Sequence, residues 1–299
     1  MRGPVKHVPL GGMISTVVTP FREDDTIDLD LLRAEVRYLL DAGVTAICAC
    51  GSTGEGQTLS LEESKAICEV VVDEVAGTVP VIGGVIQNST AQAIRYSLAL
   101  KEAGVDALQV TPVHYVFAPS PAETVEHYRL VGEAADLPII LYNVVPWALV
   151  PLETIKMIAD VPQVVAIKQS GGNMHLLVDL LADVSDRFVI LAALDNLHYP
   201  AFTLGAHGAL AAIPTVTPHL SVELWDATQK GDHELARQLH LRVLTVWRAI
   251  DGPNLPALLK EALRLQGRNG GLPRKPFAPA TPEDTRRIER ALRTANLID

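Results

Sequence analysis

Lys168 closes the apolar run Val164-Val165-Ala166-Ile167, and Tyr142 closes another, Ile139-Ile140-Leu141. A lysine amine that sheds its proton is a nucleophile toward ketones, and burial favours that loss because desolvation penalises the charged form. The same lysine could instead snorkel from its strand end to a carboxylate, and the residues alone leave both roles open. A phenol such as that of Tyr142 can deliver and remove protons, or it can be an amphipathic core aromatic. Two further clusters belong beside these. Gly51-Ser52-Thr53-Gly54-Glu55 offers hydroxyls and backbone N–H groups suited to a carboxylate or phosphate, although the same residue types build ordinary turns. Asp195-Asn196 offers hydroxyl recognition or a helix cap.

The elements that must hold these groups are legible as short apolar runs separated by helical spacing. Candidate strands are Ile14 to Val18, Ala46 to Cys50, Val79 to Val85, Ala107 to Val110, Pro138 to Asn143, Val164 to Gln169, Phe188 to Leu194 and Ala209 to Ile213. Helical patterns begin near Leu29, Leu61, Ala91, Pro121, Leu152, Met174 and Leu197, with a capping box at Ser60 and Glu63. Ala42-Gly43-Val44 and Ala103-Gly104-Val105 fit a helix end, a chain-reversing glycine and entry to the next strand. Near-continuous apolar strands in βα alternation are parallel strands covered on both faces, and eight of them favour a closed barrel. The fold class read here is α/β, a (β/α)₈ TIM barrel at residues 13–216. An N-terminal tail at 1–12 precedes it, and a helical appendage at 217–299 follows, with helices near Ser221 to Gln229, Glu234 to Ile250, Pro256 to Gln266 and from Pro282. Active sites of such barrels lie at the C-terminal strand ends, where all four clusters fall.

Composition narrows the function classes. With 48% hydrophobic and 20% charged residues among 299, the chain can bury one large core. A net charge of −10 with no basic stripe argues against nucleic acid and anionic membranes as partners. Met1 to Leu10 has no continuous apolar stretch of a signal peptide, and no run suffices to span a bilayer. Cys48, Cys50 and Cys68 point to a reducing compartment, so a cytoplasmic location is expected, with Cys48 and Cys50 as small buried hydrophobes. His7, His114, His127 and His175 show no ligand spacing, so a metal is not expected.

Taken in order, these segments resemble the dihydrodipicolinate synthase and N-acetylneuraminate lyase family. The resemblance is carried by Thr19-Pro20-Phe21, Gly51-Ser52-Thr53-Gly54-Glu55, Thr111-Pro112, Tyr142-Asn143-Val144, and Ile167-Lys168-Gln169 followed by Gly172-Asn173. It runs from about Met13 into the C-terminal helices. It implies a class I aldolase-type lyase in which Lys168 forms a Schiff base with pyruvate or another 2-oxo acid, the protonated imine serving as electron sink so that no added cofactor is expected. Tyr142 would transfer protons, Thr53 would be its hydroxyl relay partner, and Ser52 with Thr53 would bind the carboxylate. Gly51, Ile213, Asp195, Asn196, Trp147 and His114 complete the candidate substrate-binding set. A homotetramer built from tight dimers, in contact through the loop after Pro112, is likewise implied.

Two departures bear on the second substrate. The family's synthases place an arginine soon after Tyr-Asn-Val-Pro to bind the carboxylate of aspartate semialdehyde; here Tyr142-Asn143-Val144-Val145-Pro146-Trp147-Ala148-Leu149 has none. Paired tyrosines that complete a relay across the dimer are replaced after Thr111-Pro112 by Val113-His114-Tyr115. Ala193-Leu194-Asp195-Asn196 also differs from the Gly-Asp-Glu element of the sugar-acid lyases. The first expectation is therefore aldol or retro-aldol chemistry with an aldehyde other than the anionic one. Alternatives are a dehydratase or deaminase using the same imine, dihydrodipicolinate synthase itself, and a 2-oxo acid sensor without turnover.

Overall fold

The computed structural model describes residues 8–170 and 174–299. His7 and the Gly172-Asn173 pair lie outside them. Eight strands, β1 (Gly12–Thr16), β2 (Ala46–Ala49), β3 (Val81–Val85), β4 (Ala107–Val110), β5 (Ile139–Asn143), β6 (Val164–Gln169), β7 (Val189–Ala192) and β8 (Gly208–Ala211), form a closed barrel in sequence order. Every pairing is parallel, and β8 returns to β1. Helices α1 (Leu29–Asp41), α2 (Leu61–Val75), α3 (Thr90–Glu102), α4 (Pro121–Ala135), α5 (Leu152–Ile158), α6 (Met174–Asp183) and α7 (His198–Thr203) cross between consecutive strands. A single short helix, α8 (Ile213–Val216), follows β8. Beyond it come α9 (Pro218–Gln229), α10 (His233–Ile250), α11 (Leu255–Leu265) and α12 (Pro282–Thr294).

Local chemistry accounts for these boundaries. Ser60 and Glu63 form the expected capping box on α2, and Ser120 with Glu123 forms a second on α4 behind Pro121. Gly43 and Gly104 adopt φ of 83° and 92°, the left-handed state that ends α1 and α3. The eighth strand is shorter than its apolar run, because Asp195 Oδ1 captures the amides of Ala212 (2.9 Å) and Ile213 (2.6 Å). Those donors are lost to the ladder, and the chain turns into α8 with Pro214 in its first turn. Likewise β2 stops at Ala49, so Cys50 is a turn residue with φ of 57° rather than a strand residue.

Strand periodicity sorts the barrel into two cores. Ile14, Ala46, Cys48, Ile82, Ala107, Ile140, Ala166, Leu191 and Leu210 fill the interior, while Met13, Ile47, Leu108, Leu141, Ile167 and Ile190 join the helices outside. Lys168 lies two residues beyond Ala166, and Tyr142 lies two beyond Ile140. Both therefore share the inward face at the C-terminal rim, and the register places Tyr142 beside Lys168. Of the last helices, α10 packs against α7, α9 and α12, whereas α11 reaches α8 and the Ser52–Gly54 turn. Among the described residues no helix is long and apolar enough to cross a membrane.

Candidate active site

The rim encloses a cavity of about 440 Å³ lined by Ser52, Thr53, Tyr142, Lys168, Asp195 and Asn196 among others. Lys168 is only 4% exposed, and its Nζ sits 4.0 Å from the centroid of the Tyr142 ring. No carboxylate among the described residues lies within ion-pair distance of it, so the snorkelling alternative has no partner here. The Tyr142 phenol donates to Ser52 Oγ at 3.1 Å. That contact corrects the expected pairing: the hydroxyl that Tyr142 reaches belongs to Ser52, not Thr53. Thr53 follows one residue later in a single 3₁₀ turn, which carries its side chain around the turn axis and away from the phenol.

The turn itself is shaped by close backbone approach. A Cβ at Gly56 would stand 1.9 Å from the Cys50 carbonyl oxygen, and one at Gly84 would stand 2.2 Å from the same atom. Only glycines let that carbonyl tuck between two segments. The amides of Gly54, Glu55 and Gly56 are spent on the carbonyls of Gly51 and Ser52. An anion cradle made of the whole turn is thus reduced to what Ser52 and Thr53 present to the cavity. Gly51 acts by accepting the bonds from Gly54 and Gly56.

Asp195 is buried, and desolvation lifts its carboxyl to about 6, against the opposing pull of the Ile213 and Ala212 amides and the Lys168 charge. It shapes the strand-to-helix turn from inside the cavity wall, so a solvent-exposed helix cap is not its role. Asn196 is exposed at the mouth. Beneath the lysine, burial pushes the Cys48 thiol up to about 12, which leaves it a neutral packing group. Cys50 and Cys68 are also free and buried.

Three candidates fall elsewhere. The Ile213 side chain is fully buried in the outer core, its amide is held by Asp195 and its carbonyl accepts from Thr217. It contributes no surface to the cavity. His114 and Trp147 line an adjoining recess with Ser52, Gln57 and Val144 rather than the chamber around Lys168. Trp147 is 70% exposed and donates its indole N–H to the His114 carbonyl at 2.8 Å.

The sequence reading missed the outer wall. Trp247, Asp251, Leu255, Pro256 and Phe277, all from the helical C-terminal part, close the cavity opposite the strands. No spacing rule links them to Lys168; the break in helical pattern at Asp251 to Asn254 was the only signal. Among the cavity's described residues Lys168 is the sole cation, facing the carboxylates of Asp195 and Asp251. No group of three or more His, Cys, Asp or Glu among the described residues could hold a metal ion.

Comparison with known proteins places this geometry. The dihydrodipicolinate synthetase family model matches residues 9–295. A 4-hydroxy-tetrahydrodipicolinate synthase of Methanopyrus kandleri is 34% identical over 96% of this chain and 97% of its own length. One from Neisseria gonorrhoeae is 34% identical over 97% of this chain and all of its own. The crystal structure of a chloride-inhibited dihydrodipicolinate synthase from Acinetobacter baumannii, complexed with pyruvate, superposes with a TM-score of 0.91. It is 27% identical and covers 96% of this chain and 99% of that one. The chain therefore belongs to the dihydrodipicolinate synthetase family and is an aldolase-type lyase.

Proposed function

We propose that Lys168 condenses with pyruvate, or a close 2-oxo acid, and that the resulting enamine makes or breaks a carbon–carbon bond with an uncharged aldehyde. The observation that carries this reading is the buried amine of Lys168, without a carboxylate partner among the described residues and 4.0 Å from the ring of Tyr142. The neutral amine adds to the C2 carbonyl, and Tyr142 delivers the proton that lets the carbinolamine oxygen leave as water. Loss of a C3 proton from the protonated imine gives the enamine, whose C3 attacks the aldehyde carbon. Hydrolysis then returns the lysine, and cleavage is the same path reversed. Ser52 accepts the phenolic hydrogen bond and, with Thr53, binds the 2-oxo acid carboxylate.

Support for an uncharged second substrate comes from the cavity's charge: one cation, committed to the imine, and two carboxylates. A second reading, use of the anionic aldehyde implied by the relatives' names, is favoured by their 34% identity. The test common to both is incubation with pyruvate and borohydride, followed by peptide mapping. A stable adduct on the fragment containing Lys168 is expected, and Lys168→Arg should abolish it, since arginine cannot deprotonate to attack. An adduct on Lys156 or Lys260 instead would overturn the assignment. Assembly as a homotetramer fits the exposed Tyr115, Val116, Phe117 and Trp147 beside the recess, an apolar patch of the kind that a subunit contact covers, while three free cysteines fit a cytoplasmic location. A monomeric sedimentation profile would count against that assembly.

A further inference from the structure

One ammonium takes no part in this chemistry and yet is bound into the same turn. Lys260, on α11, is 3% exposed, and its Nζ donates to Glu55 Oε1 (2.6 Å), the Thr19 carbonyl (2.7 Å) and the Leu272 carbonyl (2.7 Å). All three of its N–H bonds are thereby used. The second Glu55 oxygen accepts from the Arg274 amide at 2.8 Å. Glu55 is fully buried and adopts φ of 56°, separating the single turns Ser52–Gly54 and Gly56–Thr58. Cys50 has φ of 57°, so the segment carrying Ser52 and Thr53 lies between two non-glycine residues in a sparsely populated backbone state. Such states persist only where the surroundings hold them. Thr19 Oγ1 donates to the Gly54 carbonyl at 2.6 Å, and Lys260 in turn holds the Thr19 carbonyl.

We infer that Lys260 is a positioning residue: from 205 positions away it clamps Glu55 and thereby sets the placement of Ser52 and Thr53 in the cavity. Stability alone does not explain such a group, because a buried ion pair can often be replaced by apolar residues without loss of stability. A saturated, directional network fixes geometry instead. The inference rests on the proposed role of Ser52 and Thr53 in holding the 2-oxo acid carboxylate.

Three variants and two readouts test it. Lys260→Met strands a buried carboxylate and can fail to fold, so the decisive variant is the double Glu55→Leu, Lys260→Met, which removes both charges. Hydrogen exchange should quicken at least about a hundredfold at the amides of Gly54, Glu55 and Gly56 as the turn loosens. The KM for pyruvate should rise about tenfold or more, and kcat should fall with it, because a mobile turn weakens the carboxylate contacts of Ser52 and Thr53 and loosens the hydrogen bond from Tyr142 to Ser52. As a control, Glu35→Leu, Arg268→Met removes a second buried ion pair, which ties α1 to the loop after α11. It should lower the melting temperature without moving that KM. Wild-type exchange in the folded double variant, or an equal rise in KM in the control, would overturn the inference. Absence of any pyruvate adduct in the wild type would sink the functional reading instead, and exchange of the turn amides would still decide this one.

Discussion

Discrimination against anionic aldehydes is the outcome expected from the proposed function and the charge inventory of the cavity. Its lining includes Lys168, Asp195 and Asp251 as the charged groups, and the proposed imine would consume Lys168. A substrate carboxylate therefore forgoes a charge-assisted hydrogen bond of about 2 kcal/mol, equivalent to roughly a thirty-fold loss. With pyruvate saturating, kcat/KM for aspartate semialdehyde should lie at least about thirty-fold below that of the best neutral aldehyde in a panel of aliphatic, hydroxylated and aromatic compounds. The converse perturbation is Trp147→Arg. Trp147 is 70% exposed and gives up one hydrogen bond, to the His114 carbonyl, so the change should cost under about 1 kcal/mol of stability. The new guanidinium stands at the recess that adjoins the cavity, and about a tenfold gain toward the anionic aldehyde is expected, with little change toward neutral ones. A coupled assay of pyruvate consumption reads both. If the wild type prefers aspartate semialdehyde to every neutral aldehyde, a cation from another subunit supplies the contact and the charge argument is refuted.

Removing only the phenolic oxygen, Tyr142→Phe should lower kcat by about a hundredfold or more while leaving the melting temperature nearly unchanged; normal turnover would make Tyr142 a packing residue. Ser52→Ala should then reduce kcat more than Thr53→Val does, since the phenol engages Ser52, and the reverse order would restore Thr53 as the relay partner. The carboxyl of Asp195 is raised from 3.8 to about 6 by burial, so its contribution to stability is fully present below pH 3.8 and is lost as pH rises through 6. That gap is worth about 3 kcal/mol, and Asp195→Asn should erase it, measured as denaturant midpoints from pH 4 to 8. Identical pH slopes in the two proteins would contradict the assigned burial. His198 is depressed to about 3 by burial, with both ring nitrogens unpaired among the described residues; its contribution is present above pH 6.5 and is lost as pH falls toward 3. Replacing it by phenylalanine, which keeps the stacking on Phe202, should hold the fold together about one pH unit further into acid. An unchanged acid midpoint would rule His198 out as a trigger.

Local pattern determined a good deal by itself. Eight apolar runs, the capping box at Ser60, the glycine stops at Gly43 and Gly104, and the placing of Tyr142 and Lys168 at strand ends all depend on periods of 2 and 3.6 and on single-residue chemistry. Those quantities survive in a string of letters. The Gly51-Ser52-Thr53-Gly54-Glu55 segment was likewise readable as a turn at a C-terminal strand end, although its residue types alone left a binding role and an ordinary turn both open. Tertiary structure alone decided which hydroxyl Tyr142 reaches, where β8 ends and what walls the cavity. Ser52 rather than Thr53 meets the phenol because the 3₁₀ turn rotates successive side chains away from one another. The eighth strand ends early because Asp195, 17 and 18 residues upstream, takes the amides of Ala212 and Ile213. Lys260 finds Glu55 across 205 residues, and Asp251 and Phe277 arrive from loops between the C-terminal helices, through contacts that no local period encodes. Such partners are selected by complementarity of charge and shape in three dimensions, and that information exists only once the chain has closed on itself.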